Sequence, residues 1–165
     1  MDIPEPADLQ NDAARLLDSL RAAGLMLATA ESCTGGLIAA TLTEVAGSSD
    51  VVERGFVTYS NEAKAEQLGV GMDLIMEHGA VSEQVARAMA AGALDHSRAE
   101  ISVSVTGIAG PGGGTETKPV GLVHLAAARR GGDTIHERCA FGDAGRAGVR
   151  RLSVQEAFRL VRALL

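Results

Sequence analysis

The feature that most constrains this chain is the interleaving of short apolar strands with helical segments. Ile101, Val103 and Val105 alternate with Ser102, Ser104 and Thr106, which is a strand of period two. Leu25–Thr29 and Val51–Thr58 read as further strands. Between them, Leu9, Ala13, Leu16, Leu17 and Leu20 recur at helical spacing, and Arg21 and Gly24 supply a helix end. A helix with Leu37, Ile38, Thr41, Leu42 and Val45 on its apolar positions follows the turn Glu31–Gly36 and stops at Gly47. Ser60 caps a helix running through Lys64 to Leu68 and closed by Gly69, and Ser82 caps one carrying Val85, Met89, Ala93 and Leu94. Val120–Ala128 and Thr134–Phe141 form a hairpin around Gly131-Gly132-Asp133, and a last helix carries Leu152, Ala157, Leu160, Val161 and Leu164. Strands alternating with helices imply an α/β fold of three layers, α/β/α, with helices on both faces of a mixed sheet.

A chain of 165 residues without repeat or linker fits one soluble domain. With 2% aromatic residues and no Trp, the core must be built of Ala, Val, Leu and Ile. The net charge of −6 repels a phosphate backbone on average, which argues against nucleic acid as a partner. No apolar run approaches a membrane span of about 18 residues. The acidic N-terminus lacks the regions of a signal peptide, so a cytoplasmic location is expected and no membrane partner. Cys33 and Cys139 make no disulfide framework, and His78, His96, His124 and His136 show no metal-ligand spacing, so neither a metal nor another cofactor is expected. His124, inside a strand, reads as a packed rather than a catalytic ring.

Four segments carry chemistry-bearing residues. Thr29-Ala30-Glu31-Ser32-Cys33-Thr34-Gly35-Gly36 joins a strand to a helix, where unsatisfied N–H groups attract an anion or an oxyanion and where Ser32 and Cys33 are candidate nucleophiles. The plainer alternative makes Ser32 or Thr34 a cap and the glycines packing residues. No G-K-[ST] follows, so this is not a Walker loop. Thr58–Lys64 offers Tyr59 and Lys64 as proton acceptors, or merely a strand-end tyrosine and a solvated lysine. Thr106-Gly107-Ile108-Ala109-Gly110-Pro111 opens a loop, Gly107–Pro119, with five glycines and two prolines, which either covers a ligand or simply connects. Arg146, Arg150 and Arg151 at the start of the last helix either reach an anionic ligand or form a solvated face.

Taken together, Ala30–Gly36, Val57–Lys64, Leu68-Gly69-Val70, Gly79–Ser82, Val105–Pro111 and Lys118–Gly121 resemble, in order, the competence/damage-inducible protein CinA C-terminal family. The resemblance covers residues 8–165 as one domain and leaves residues 1–7 as an N-terminal extension. It implies nicotinamide-nucleotide amidohydrolase activity: conversion of nicotinamide mononucleotide, the small-molecule partner, to nicotinic acid mononucleotide and ammonia. It further implies Ser32 as nucleophile, with Tyr59 and Lys64 handling protons, the choice between them open. Backbone N–H groups near Thr34 to Gly36 are the candidates for an oxyanion hole. Glu31, Thr34, Gly35, Gly36, Thr106, Gly107, Gly110 and Arg146 are the expected substrate contacts. A homo-oligomer, dimer or higher, is also expected. Longer relatives carry an N-terminal molybdopterin-binding-like domain linked to pyrophosphatase activity, for which 165 residues leave no room. Two rival readings stay open: a catalytically silent nucleotide-binding or interaction module, and a hydrolase using Cys33, its thiol acidified at a helix N-terminus.

Overall fold

The computed structural model describes residues 2–165. Helix α1 (Pro6–Ala23) begins with proline in its first turn and ends at Gly24, whose φ of 68° is the left-handed conformation that glycine adopts without strain. Ile3, ahead of that helix, packs so closely on the last helix that a Cβ on Gly148 would meet its Cδ1 at 2.8 Å. The chain continues through β1 (Leu27–Glu31), α2 (Leu37–Thr43), a 3-10 turn at Ser48–Asp50, β2 (Val52–Val57), α3 (Asn61–Leu68), α4 (Met72–His78) and α5 (Glu83–Asp95). It ends with β3 (Ile101–Gly107), β4 (Leu122–Arg129), β5 (Thr134–Ala140) and α6 (Gly145–Arg162).

The five strands form one mixed sheet in the order β2-β1-β3-β4-β5. β1 pairs in parallel with both β2 and β3, while β4 and β5 add in antiparallel fashion. The α/β/α expectation holds. Helices α1, α2 and α6 cover one face, and α5, flanked by α3 and α4, covers the other.

The two faces are built differently. On the α1/α2/α6 face, Leu27, Ile101, Val103, Val105, Val123 and Leu125 meet Leu16, Leu17, Leu20, Phe158 and Val161. Truncating Phe158 there, with no exposed surface, costs about 3–5 kcal/mol. On the α5 face the sheet presents Ala28, Ala30, Ser102, Ser104 and Ala126, all fully buried. The alternation in β3 identifies the strand; its serine face, however, is no solvent face. Ser102 Oγ donates to Ala90 O and Ser104 Oγ to Ala86 O, both at 2.6 Å, inside the junction with α5. Small side chains let α5 approach closely. Hydroxyls there are tolerated because each finds an acceptor, a bond worth about 1 kcal/mol net. A Cβ on Gly92 of α5 would collide with the carbonyl oxygen of Leu68, so α3 also lies close to α5.

Two elements depart from the sequence expectation. The first strand is shifted to Leu27–Glu31, because its parallel pairing continues to Glu31 opposite Val57 and Val105. Glu31 is therefore the last residue of a strand and not the first of a turn. Helix α4 was not foreseen: its seven residues between Gly71 and Gly79 are too few to show a helical period.

Candidate functional site

Parallel pairing brings the carboxyl ends of β1, β2 and β3 to the same edge of the sheet, where ligands of open α/β sheets bind. β1 runs into Ser32, β2 into Thr58-Tyr59 and helix α3, and β3 into the glycine-rich loop. The hairpin β4–β5 carries the chain away and back, so that α6 starts beside the same edge with Arg146. A pocket of about 280 Å³ lies there. Its walls include Ser32, Cys33, Tyr59, Asn61, Lys64, Thr106, Gly107, Gly110 and Arg146. A cleft of about 320 Å³ between α1 and α2 is lined by Pro6, Leu9, Leu37, Ala40, Thr41 and Glu44 among others, and the Thr41 hydroxyl there is spent on Leu37 O.

At the floor of the pocket Lys64 Nζ donates to Ser32 Oγ at 3.1 Å. Lys64 is the first-turn-and-a-half residue of α3, a helix whose start is fixed by Ser60 Oγ accepting from Ala63 N at 3.0 Å. Its ammonium also donates to Thr58 O at 2.8 Å, and the side chain is 1% exposed. Among the described residues no carboxylate forms an ion pair with it. Burial therefore lowers its pKa below the ordinary lysine value, opposed only by the nearby Cys33 thiol. A lysine in this state can take a proton from the serine it touches. Tyr59 lies elsewhere: it is 59% exposed, and its hydroxyl accepts from Arg146 Nη2 at 2.8 Å. Arg146 Nη1 donates to Gly110 O at 2.9 Å, so arginine, tyrosine and loop meet at the pocket's rim.

Ser32 is held from both sides. Its N–H donates to Val105 O at 3.0 Å, and its carbonyl accepts from Gly35 N at 2.9 Å. The N–H groups of Thr34 and Gly36, by contrast, have no protein acceptor among the described residues. Gly35 and Gly36 turn the chain at φ of 59° and 99°, the left-handed region, which explains two glycines in succession. Cys33, although it also borders the pocket, packs in the core cluster, and burial pushes its thiol up to about 12. Acidification of this thiol by a helix end is thus overturned. Both cysteines are free.

Glu31, expected to contact substrate, faces inward and is fully buried. Its Oε1 accepts from Thr34 Oγ1 and from Ile38 N, both at 2.7 Å, and its Oε2 accepts from Ala39 N at 3.0 Å and Thr29 Oγ1 at 3.4 Å. Leu37 N is satisfied by Thr34 O. The amino end of α2 thus already holds an anion, one of the protein's own side chains, and is closed to a ligand's. Thr34, Gly35 and Gly36, like Glu31, are absent from the pocket wall, whereas Ser32, Tyr59, Lys64, Thr106, Gly107, Gly110 and Arg146 are part of it. Thr106 Oγ1 is committed to Ala80 O at 2.8 Å. Arg150 does not reach the pocket either; its Nη2 donates to Thr34 O at 2.8 Å.

Sequence reasoning missed Asn61, Val81, Ile108 and Ala109 as wall residues. Asn61, the residue after the Ser60 cap, carries a local signal in its side-chain amide. The apolar three carry no chemical signal. His124 stacks on His136 with ring centroids 5.1 Å apart, and burial, then the second ring, pushes His124 down to about 4. It is a packed neutral ring, as its strand position suggests. Among the described residues no group of three or more His, Cys, Asp or Glu could hold a metal ion, and no helix is long and apolar enough to cross a membrane.

Comparison with known proteins gives the same architecture. A crystal structure of the competence/damage-inducible protein CihA from Agrobacterium tumefaciens superposes with a TM-score of 0.94 at 52% identity, covering 99% of this chain and 98% of that one. The nicotinamide-nucleotide amidohydrolase PncC of Escherichia coli K12 is 52% identical over 142 residues, 86% of this chain and 85% of that protein. A CinA-like protein of Mycolicibacterium vanbaalenii is 54% identical over 143 residues, 87% of this chain but 34% of that longer protein. The family model described as the CinA C-terminal domain matches residues 9–165, and by this match and these identities the chain belongs to the CinA C-terminal domain family.

Proposed function

We propose that this protein is a nicotinamide-nucleotide amidohydrolase that hydrolyses nicotinamide mononucleotide to nicotinic acid mononucleotide and ammonia, with Ser32 as nucleophile and Lys64 as its base. The observation that carries the mechanism is the 3.1 Å contact between Lys64 Nζ and Ser32 Oγ at the floor of the pocket. The substrate class is supported by the 52% identity to the relative of that name. Neutral Lys64, favoured by burial, accepts the Ser32 hydroxyl proton as Oγ attacks the carboxamide carbon. The tetrahedral oxyanion is stabilised by backbone N–H groups, for which those of Thr34 and Gly36 are unspent. Collapse breaks the C–N bond, and the proton on Lys64 passes to the departing nitrogen as ammonia. Water, deprotonated by the same amine, then cleaves the ester and returns Ser32.

Tyr59, bonded to Arg146 and not to Ser32, falls to the binding side of the pocket in this reading. Arg146, with Gly107, Gly110 and the rest of the loop, would receive the phosphate. Thr106 shapes the wall, and Glu31 and Gly35, with the side chain of Thr34, support the serine from behind. A cytoplasmic location and a homo-oligomeric state belong to the same reading, the second checked by light scattering. The decisive experiment measures ammonia release from nicotinamide mononucleotide by the wild type and by Ser32→Ala. Release by the wild type alone supports the proposal; no release by either identifies a silent binding module.

A further inference from the structure

We infer that Glu31 is a positioning residue for the nucleophile: its carboxylate, acting through Thr34, fixes the loop that holds Ser32 against Lys64. The inference rests on the reading of Ser32 as nucleophile. Ser32 follows Glu31 directly, and its backbone bonds to Val105 O and Gly35 N fix the residue's entry but not the rest of the turn. What restrains the segment is a buried carboxylate with four donors: two hydroxyls, Thr29 and Thr34, and two backbone N–H groups, Ile38 and Ala39. These donors lie before, within and after the loop, so one side chain ties β1, the turn and α2 together. Thr34 is the joint. Its hydroxyl donates to Glu31, its carbonyl accepts from Leu37 N and from Arg150 Nη2, and its N–H has no protein acceptor among the described residues.

The arrangement is more than a helix cap. A cap needs one oxygen at one N–H, and α2 is only seven residues long. A fully buried carboxylate is costly unless all its lone pairs are met, and here one of its donors, the Thr34 hydroxyl, belongs to the very loop that bears the nucleophile. Weakening the network lets Oγ drift from Nζ while the pocket rim, formed by Tyr59, Arg146 and the Gly107–Gly113 segment, is untouched. A misplacement of about 1 Å at a reacting atom lowers a rate about a hundred-fold.

The test does not depend on the natural substrate. A fluorophosphonate reacts with an activated serine: an Oγ–P bond forms, the P–F bond breaks, fluoride leaves, and the hydroxyl proton goes to Lys64. The second-order labelling rate at Ser32 is measured for the wild type, Glu31→Gln, Thr34→Val and Thr34→Ser, with Ser32→Ala as blank. Product affinity is measured alongside by calorimetry. Expected are labelling rates about a hundred-fold lower for Glu31→Gln and Thr34→Val, unchanged product affinity, and rescue to within about threefold by Thr34→Ser, which restores the hydroxyl. If Glu31→Gln does not fold, Thr34→Val, which alters one hydroxyl only, decides alone. Undiminished labelling with a lower melting temperature would make Glu31 a structural cap and overturn the inference. Undiminished labelling with weakened product affinity would overturn it in favour of a substrate contact. Absence of labelling at Ser32 in the wild type would remove the nucleophile and the inference with it. Labelling at Ser32 without hydrolysis of nicotinamide mononucleotide would sink only the substrate assignment.

Discussion

The pocket has two unlike walls. One carries Ser32 and Lys64 and is backed by the junction of β1, α2 and α3, where Glu31, Ser32, Thr34 and Lys64 are buried. There every side-chain oxygen and nitrogen of these four is hydrogen-bonded. The other is the rim of Tyr59, Arg146 and the Gly107–Gly113 segment, where the side chains are mostly exposed and the backbone is rich in glycine. Bond-making needs atoms fixed to a fraction of an ångström, and a low-dielectric site strengthens each electrostatic contact. Admitting and releasing a charged ligand needs the opposite: solvent access and a backbone that a ligand can approach. On the proposed function, the difference between the walls divides labour between chemistry and binding. Substitutions on the buried wall should act on kcat, and those on the rim should act on KM.

The largest effect tests the buried wall directly. Ser32→Ala is expected to lower kcat by about 10⁵-fold or more, as loss of a nucleophile does. The fold should stay intact, since among the described residues the only side-chain partner lost is Lys64, which keeps Thr58 O. Residual activity within tenfold of the wild type would end the assignment. Next in size is Lys64→Ala, expected to lower kcat by about 10²- to 10⁴-fold with little change in KM. Its pH dependence carries a sign. The base must be neutral, and burial lowers the Lys64 pKa, so activity of the wild type should rise with pH through a value below the ordinary lysine range. That limb should vanish from the pH–rate profile of Lys64→Ala. A variant with normal kcat and raised KM would move Lys64 to the rim's side of the comparison.

A smaller effect is expected at the rim. Arg146 is exposed, and its bonds to Tyr59 and Gly110 are open to competition from a ligand. Its charge-assisted contacts to a phosphate, weakened by solvent, are worth about 1–2 kcal/mol. Arg146→Ala should then raise KM for the mononucleotide about five- to thirtyfold and leave kcat within a few-fold. The same variant should lose most of the preference for the mononucleotide over the riboside, since only the phosphate distinguishes them. Equal specificity constants for the two in the wild type would leave the phosphate unbound. The amino end of α2 offers no alternative seat, because the Glu31 carboxylate occupies it.

The walls also differed in how far they could be read from sequence. Strand β3 was legible because Ile101, Val103 and Val105 alternate with small polar residues, a pattern set by the backbone itself. That Ser102 and Ser104 are buried was not, since their burial depends on the close approach of α5, a tertiary fact. The rim was half legible, glycines and an arginine being local signals of loops and anions. The pairing of Ser32 with Lys64 was not legible from spacing: thirty-two positions separate them, and only the parallel register of β1 and β2 brings their following segments together. It was the family resemblance that joined them. Glu31 misled for a physical reason. A carboxylate beside two candidate nucleophiles reads as a ligand group, and nothing local tells that its strand continues two residues further and turns the side chain inward.

The smallest expected effect on activity is the sharpest local test, because it compares neighbours. Ser32 and Cys33 share a loop, yet Oγ faces Lys64 and the thiol packs into the core. A thiol pushed up to about 12 is almost wholly protonated at neutral pH and is a poor nucleophile. Cys33→Ser should keep kcat within about threefold, since general-base chemistry loses none of its participants. What it should lose is stability. The new hydroxyl sits 6% exposed among Val and Leu side chains, where an unmatched polar group costs about 1–3 kcal/mol. For a domain of this size that lowers the melting temperature by roughly 3–10 °C. A thermal melt and an ammonia assay on the same preparation separate the two effects. An inactive Cys33→Ser beside an active Ser32→Ala would reverse the roles of the two neighbours, and with them the division between a wall that reacts and a core that merely supports it.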